Sequence, residues 1–432
     1  MLGVSLNNSY DHFDPKLQPA WNWFQFGMVV FPLSPFLGAV TVILSSLITW
    51  SKKGRTIRSN YLHWGFALLS ILFAISTGFA AHKLESLLGL FNFLPYFLVF
   101  AGLTALIQTT AQLRHIALII VYGSLPITLI GLGQILLGWH FQFQFLWIIL
   151  DWSMNAGGTP PGRVSSICMH ANTLAAYLVI VVILGWGLLL GSKSRNLWLI
   201  VVVILDCGVL CLTDSRNGWA IAILAGLAFA FAQGWRLLVG VVAAITTSML
   251  TAAFAPLPIA QLFRHFVPYA IWARLNDQMY PDRPVAIMRK TQWQFAWSLG
   301  EQHPWTGWGL RSFSDLYYSK MQVHLGHPHN LYLMLFAETG FLSTLLFLGL
   351  LAVILISATQ TLLTQKFASP EDKLIFLSYL LAFIGWLLSN TVDVTIFDLR
   401  LSTPFWVSLA GMCGVVYKNK DSSIAKIYVH NN

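Results

Sequence analysis

The run His327-Pro328-His329-Asn330-Leu331-Tyr332-Leu333 joins a polar segment to a long apolar one. Imidazole titrates near neutral pH, so His329 has the chemistry of a base at this boundary. Asn330 is a good N-cap for the helix that should follow. That helix would enter the membrane from outside, with its positive dipole end on the external surface, where an anion is favoured. The plainer reading is an interfacial histidine that hydrogen-bonds its own loop. His324, His327 and His329 together raise the question of zinc. No carboxylate or cysteine is obviously spaced to complete such a site, so no metal is expected.

Three further clusters carry arginine. Asp214-Ser215-Arg216-Asn217-Gly218 is a tight polar turn between two apolar runs. Arginine is permanently charged and grips phosphate oxygens with a two-pronged fork. The alternative is a surface ion pair between Arg216 and Asp214. Arg289-Lys290-Thr291-Gln292-Trp293 opens a helix-like stretch through Leu299, which ends in the turn His303-Pro304-Trp305-Thr306-Gly307-Trp308-Gly309. Arg289 and Trp293 share a helix face there. A stacked cation and indole is as compatible with that spacing as a ligand contact. Arg163-Val164-Ser165-Ser166, followed by His170-Ala171-Asn172, again places polar groups at a helix mouth.

Asp206, Glu338 and Asp393 lie inside apolar runs. Carboxylates in a membrane are costly and are functional candidates by default. Glu338 follows His329 by nine residues, about two and a half helical turns, so it should face away from it. A structural hydrogen bond to a neighbouring helix is the better expectation for Glu338.

The elements that must position these groups are membrane helices. The chain has 432 residues, 56% of them hydrophobic and 9% charged, with a mean hydropathy of +0.68. Soluble domains carry about 25% charged residues. Apolar runs fall near 24–50, 61–81, 88–111, 116–138, 169–190, 197–213, 219–233, 237–255, 331–357, 374–397 and 403–417. Most can cross the roughly 30 Å hydrocarbon layer. The expected fold is an all-α polytopic membrane protein with eleven or twelve spans. Pro32-Leu33-Ser34-Pro35 favours twelve, by dividing the first run into two short spans. No basic stretch leading into an apolar core marks a cleavable signal peptide near the start.

Basic residues assign the sides by the positive-inside rule. Lys52, Lys53, Arg55 and Arg58 mark one loop as cytoplasmic, and Arg114, Lys193 with Arg195, Arg236, and Lys366 with Lys373 mark alternate loops. The tail carries Lys418, Lys420 and Lys426. The net charge of +9 largely follows this pattern and needs no nucleic acid. Two sizeable loops fall outside, about 139–168 and 256–330. The second holds seven Lys/Arg against four acids, an excess that points to an anionic ligand. The four cysteines form no disulfide or metal pattern.

In this order, these pieces resemble the O-antigen ligase and polymerase family of bacterial inner membranes. The resemblance runs from Leu212-Thr213-Asp214-Ser215-Arg216-Asn217-Gly218-Trp219 through Arg289 with Trp293, the 303–309 turn and His327-Pro328-His329-Asn330 to Glu338-Thr339-Gly340, ending near Leu350. The stretch from Arg163 to Tyr177 resembles the family's upstream region. The resemblance implies a GT-C-like glycosyltransferase with a periplasmic loop containing short helices. The regions are then N-terminal spans over 1–210, a core over 211–350 that includes the loop 256–330, C-terminal spans over 351–417 and a cytoplasmic tail over 418–432. It implies an undecaprenyl diphosphate-linked glycan as donor and a hydroxyl of lipid A-core or another glycan as acceptor, with no metal or other cofactor. His329, Arg216 and Arg289 would be catalytic. Arg163, Asn172, Ser215, His327, Asn330 and Arg311 would contact substrate. A single displacement with inversion is expected. A polysaccharide polymerase of the same family and an inorganic-carbon-type transporter are the competing readings, the latter because Asp206, Glu338 and Asp393 suit ion coupling.

Overall fold

In a computed structural model the described residues are 11–146, 149–192, 196–276, 278–279 and 284–430, with side chains described to 419. Lys193, Arg195, Asp277, Asp282 and Arg283 of the charge pattern lie outside them, as do the side chains of Lys420 and Lys426. The order is α1 (Gln18–Val30), α2 (Pro35–Arg58), α3 (Tyr61–Phe79), α4 (Lys83–Leu90), α5 (Leu94–Leu106) and α6 (Thr110–Leu136). A hairpin of β1 (Phe141–Phe145) and β2 (Leu150–Met154) follows, then α7 (Ala171–Leu190), α8 (Leu197–Leu212), α9 (Arg216–Ala232) and α10 (Arg236–Phe254). The large loop folds as α11 (Leu257–Arg264), α12 (Tyr269–Leu275), α13 (Arg289–Gln302) and α14 (Ser312–Met321). The chain closes with α15 (Leu331–Thr364), α16 (Pro370–Ser389) and α17 (Leu399–His430).

Among the described residues, nine helices are long and apolar enough to cross a membrane, with α4 and α5 counted as one, and α8 and α9 are shorter apolar helices. With α1 this makes the twelve-helix arrangement. The chain turns at Phe31–Ser34, where Ser34 caps α2 and Pro35 opens it. At 13 residues α1 rises only about 20 Å, short of a full crossing on its own.

Contacts between distant loops support the alternation of sides. Lys53 bridges to Asp14 at 2.7 Å, and Lys418 lies over the Phe13 ring at 4.1 Å. Both chain ends thus share a face with the basic loop after α2. Arg114 pairs with Asp372 at 3.6 Å and donates to the Gly191 carbonyl, which joins the starts of α6 and α16 to the end of α7. On the opposite side, Trp152 donates to the Leu33 carbonyl. Two differences from the sequence reading appear at helix ends. α16 stops at Ser389, so Asp393 lies in a loop and not inside a span. α17 continues as helix through His430, because no Gly or Pro follows Tyr417 to stop it.

The core packs α7 against α16, and α5 against α2 and α17. Inside it, Asp206 accepts from Ser124 at 2.8 Å and Thr128 at 2.5 Å. Glu338 takes the Phe313 N–H at the start of α14 at 3.2 Å. Both acids therefore serve as hydrogen-bond acceptors between helices; Asp206 is satisfied at both oxygens, whereas Glu338 Oε2 is buried without a hydrogen-bond partner.

One local device orients the large loop. α15 breaks at Gly340, whose φ of 79° belongs to glycine. The turn after α13 clips into the break: Trp308 N–H donates to the Ala337 carbonyl at 3.0 Å, Gly309 N–H to Glu338 at 2.8 Å, and Phe341 N–H to Pro304 at 2.7 Å. A Cβ on Gly340 would stand 2.5 Å from the Trp305 carbonyl oxygen. The clip pins α13 along α15, with Phe295, Leu299 and Phe313 buried between them, and so fixes where Arg289 begins its helix.

Candidate functional site

Several helix starts converge on one face. Ser215 caps α9 by accepting the Gly218 N–H at 3.3 Å. His170 caps α7 through Nδ1, which accepts the Asn172 N–H at 3.1 Å. Asn330 caps α15 by accepting the Leu333 N–H at 3.0 Å. Arg216 and Arg289 are the first residues of α9 and α13. The first turns of α7, α9 and α13 all border one cavity of about 250 Å³. Their positive dipole ends favour an anion there.

Four arginines line this cavity: Arg163, Arg216, Arg274 and Arg289. Arg163 is locked in place, with Nε on the Thr213 carbonyl and Nη2 on Asn172 Oδ1, both at 2.7 Å. Arg216 donates to the backbone carbonyl of Arg274, and the Arg274 guanidinium pairs with Asp214. The ion pair expected of the 214–218 turn thus includes a residue 60 positions further along, on α12. That contact ties the short helices of the loop to the cavity rim.

A second cavity of about 540 Å³ adjoins the first and shares Asn172, Asp393 and Thr395 with it. His170, His327 and His329 line it. His329 Nδ1 is 3.2 Å from Asp393 Oδ1. Burial opposes a charge on Asp393, but the hydrogen bond with His329 and the two nearby imidazoles outweigh it and hold the carboxyl below its ordinary value. An ionised carboxylate only accepts, so Nδ1 of His329 carries the hydrogen of this bond, and Nε2 is the ring nitrogen turned away from Asp393. His327 Nδ1 accepts the His329 N–H at 3.2 Å, and its Nε2 lies 4.0 Å from Asp393. Burial, reinforced by His329 and Arg289, pushes the His327 imidazole down to about 4, against the pull of Asp393. It is therefore a neutral hydrogen-bonding partner at neutral pH. His329 has φ 49°, a left-handed conformation uncommon outside glycine, which turns its ring toward Asp393.

Of the sequence candidates, Arg216, Arg289, Arg163, Asn172 and Ser215 border the first cavity, and His329, His327 and Asn172 the second. Two stand elsewhere. Asn330 lines neither cavity; its side chain is spent on its cap and on the Thr391 carbonyl at 3.0 Å. Arg311 lines neither; it precedes α14 at φ 63°, with its side chain near Gly89 of α4, because the clip at Gly340 carries that end of the loop away from the arginine cavity.

Arg274 was not singled out by the sequence, and Asp393 was a candidate there only as a carboxylate inside a span, not as a partner of the histidines. Asp393 also corrects the reading that no carboxylate stands near the histidines. The ligand atoms of His327, His329 and Asp393 lie within 4.8 Å of one another, close enough to hold a divalent cation.

No curated protein matches the chain significantly. Residues 201–348 match the model of the family described as O-antigen ligase. The matched segment carries Arg216, Arg274, Arg289 and His329, that is, three of the four cavity arginines and the histidine beside Asp393. Over this segment the chain is similar to the O-antigen ligase family, whose members are membrane enzymes acting on lipid-linked glycans.

Proposed function

We propose that this protein transfers a glycan from a lipid diphosphate, undecaprenyl diphosphate in a bacterial inner membrane, to an acceptor hydroxyl on the periplasmic face. The observation that carries the reading is the pair of adjoining cavities, arginines in one and the His329–Asp393 pair beside the other.

The diphosphate sits among Arg163, Arg216, Arg274 and Arg289. As the glycosidic bond breaks, negative charge grows on the leaving diphosphate, and preorganised guanidinium groups stabilise it where it appears. Displacement by phosphate oxygens of the Arg274 carbonyl from Arg216, and of Asp214 from Arg274, would release both forks for the ligand. The acceptor hydroxyl enters from the second cavity. His329 Nε2 takes its proton while the oxygen bonds to the anomeric carbon and the diphosphate leaves with the electron pair. Asp393 orients the imidazole and stabilises the imidazolium. One displacement inverts the anomeric centre. Diphosphate is a good leaving group, so no acid and no metal is required.

Lipid A-core or another glycan would supply the hydroxyl; joining repeat units to each other would make the protein a polymerase. In a deletion strain, loss of all polymer beyond one repeat indicates the polymerase, and long polymer that stays lipid-linked indicates the ligase. A transporter reading draws less support, since Asp206 and Glu338 are fixed in hydrogen bonds and Asp393 lies in a loop. Solute uptake into vesicles that is unaffected by loss of His329 would favour the transporter.

A further inference from the structure

We propose that the second cavity is built for an uncharged sugar and rejects anionic acceptors; this names the acceptor class and rests on the glycosyl-transfer reading above. The two cavities differ in charge. The first sets Arg163, Arg216, Arg274 and Arg289 against Asp214 and Asp393, 4 − 2 = +2. The second sets Arg400 against Asp393 and Asp398, 1 − 2 = −1 counting its permanent cation and its carboxylates.

Arg400 is not available to attract an anion. Its Nη1 lies 3.8 Å from Asp398 Oδ1, and its Nη2 donates to the Asp151 carbonyl at 3.4 Å. A phosphate entering here would face two carboxylates, one of them the partner His329 needs, and like charges in a shielded site repel strongly. It would be drawn instead to the arginine cavity and compete with the donor.

The remaining groups suit a polyol. Asp398 and His170 offer hydrogen-bonding atoms at the cavity wall, and Phe397 offers a ring face for the C–H surface of a pyranose. The Phe397 ring stacks beside His327, at 6.2 Å and 27°. A sugar held on it lies next to the histidine pair. Asp398 also immediately precedes α17, where its side chain accepts the Arg400 N–H at 2.8 Å. Asparagine can keep that cap while removing the charge.

The test uses the full-length protein in lipid nanodiscs, with lipid-linked glycan extracted from its own host as donor. Methyl glycosides and their phosphate monoesters serve as acceptors, and binding of undecaprenyl diphosphate is measured separately. Neutral glycosides should be used at least about tenfold better by kcat/KM than their phosphate esters. Asp398→Asn should bring that ratio towards one and leave undecaprenyl diphosphate affinity unchanged. Equal use of phosphate esters by the unmodified protein overturns the proposal. So does transfer only to a peptide hydroxyl, or a variant that loses undecaprenyl diphosphate as much as it loses acceptor. No transfer to any glycoside with undecaprenyl diphosphate still bound overturns the acceptor assignment alone. Failure of the unmodified protein to bind undecaprenyl diphosphate overturns the underlying reading of the arginine cavity.

Discussion

His329 Nδ1 lies 3.2 Å from Asp393 Oδ1, although 64 residues separate them in the chain. One residue precedes α15 and the other sits between α16 and α17. The pair explains how an imidazole at a helix mouth can present one chosen nitrogen to a hydroxyl. Asp393→Asn should lower transfer about 10²-fold or more, as expected when a base loses the group that fixes its tautomer. Donor binding should change little by comparison. Single-turnover transfer beside undecaprenyl diphosphate binding separates the two effects. Full activity in this variant would remove Asp393 from the mechanism.

The arginine cavity makes a different demand. Arg216→Lys and Arg289→Lys keep the charge and lose the planar fork. Each should lower transfer about 10²–10³-fold, the usual loss for one preorganised donor at a developing anion. Arg274→Ala tests the rim contact that the sequence did not reveal, and should weaken undecaprenyl diphosphate binding. Two lysine variants with normal turnover would argue against fork-like gripping of the diphosphate.

Arg311 supplies a control of the opposite sign. It borders neither cavity, and its φ of 63° is better tolerated by Asn than by most residues. Arg311→Asn should leave transfer within about twofold, since Arg311 reaches neither the diphosphate nor the acceptor cavity. A loss as large as that of Arg216→Lys would bring the loop's far end into the site.

Metal dependence follows from the histidine cluster. Transfer should persist after chelation of divalent cations, since the base proposed here, His329, needs none. Added zinc should inhibit, because it would occupy the His329, His327 and Asp393 atoms that the reaction uses. Activity lost on chelation and restored by a divalent cation would replace the base mechanism with a metal-assisted one.

His327 gives the fold a pH dependence. Its imidazole is pushed down to about 4 by burial, against about 6.5 in an unfolded chain. Between these values the unfolded chain holds the proton and the folded one does not. Stability should therefore rise with pH across that window and be lost on acidification through it. Asp393, held below its ordinary value, adds a loss only at still lower pH. Thermal unfolding in nanodiscs from pH 4.5 to 7.5 should show a flatter profile for His327→Gln than for the parent protein. Identical profiles would contradict the assignment.

The apolar helices and the arginine and histidine boundaries were legible because hydropathy and capping act over short distances. The split at Pro32–Pro35 and the separation of Glu338 from His329 followed from helix length and period alone. Asp393 was not legible as a partner because the residues around it, Val392, Val394 and Ile396, continue the apolar run of α16 with no visible break. Its loop is set by Asn390, whose side chain accepts from Thr395 and donates to Trp386 in a buried turn. Arg274 was hidden for a related reason. Only the folding of α11 and α12 against α10 brings it to Asp214, and no periodicity encodes that return. Arg311 lines neither cavity, and loop charge says nothing about which end of a loop reaches one.

The most direct test of the central claim is glycan transfer by His329→Ala in membranes or nanodiscs, measured beside undecaprenyl diphosphate binding. The expected result is loss of transfer by about 10²-fold or more with donor binding retained. Undiminished transfer by His329→Ala would contradict the account.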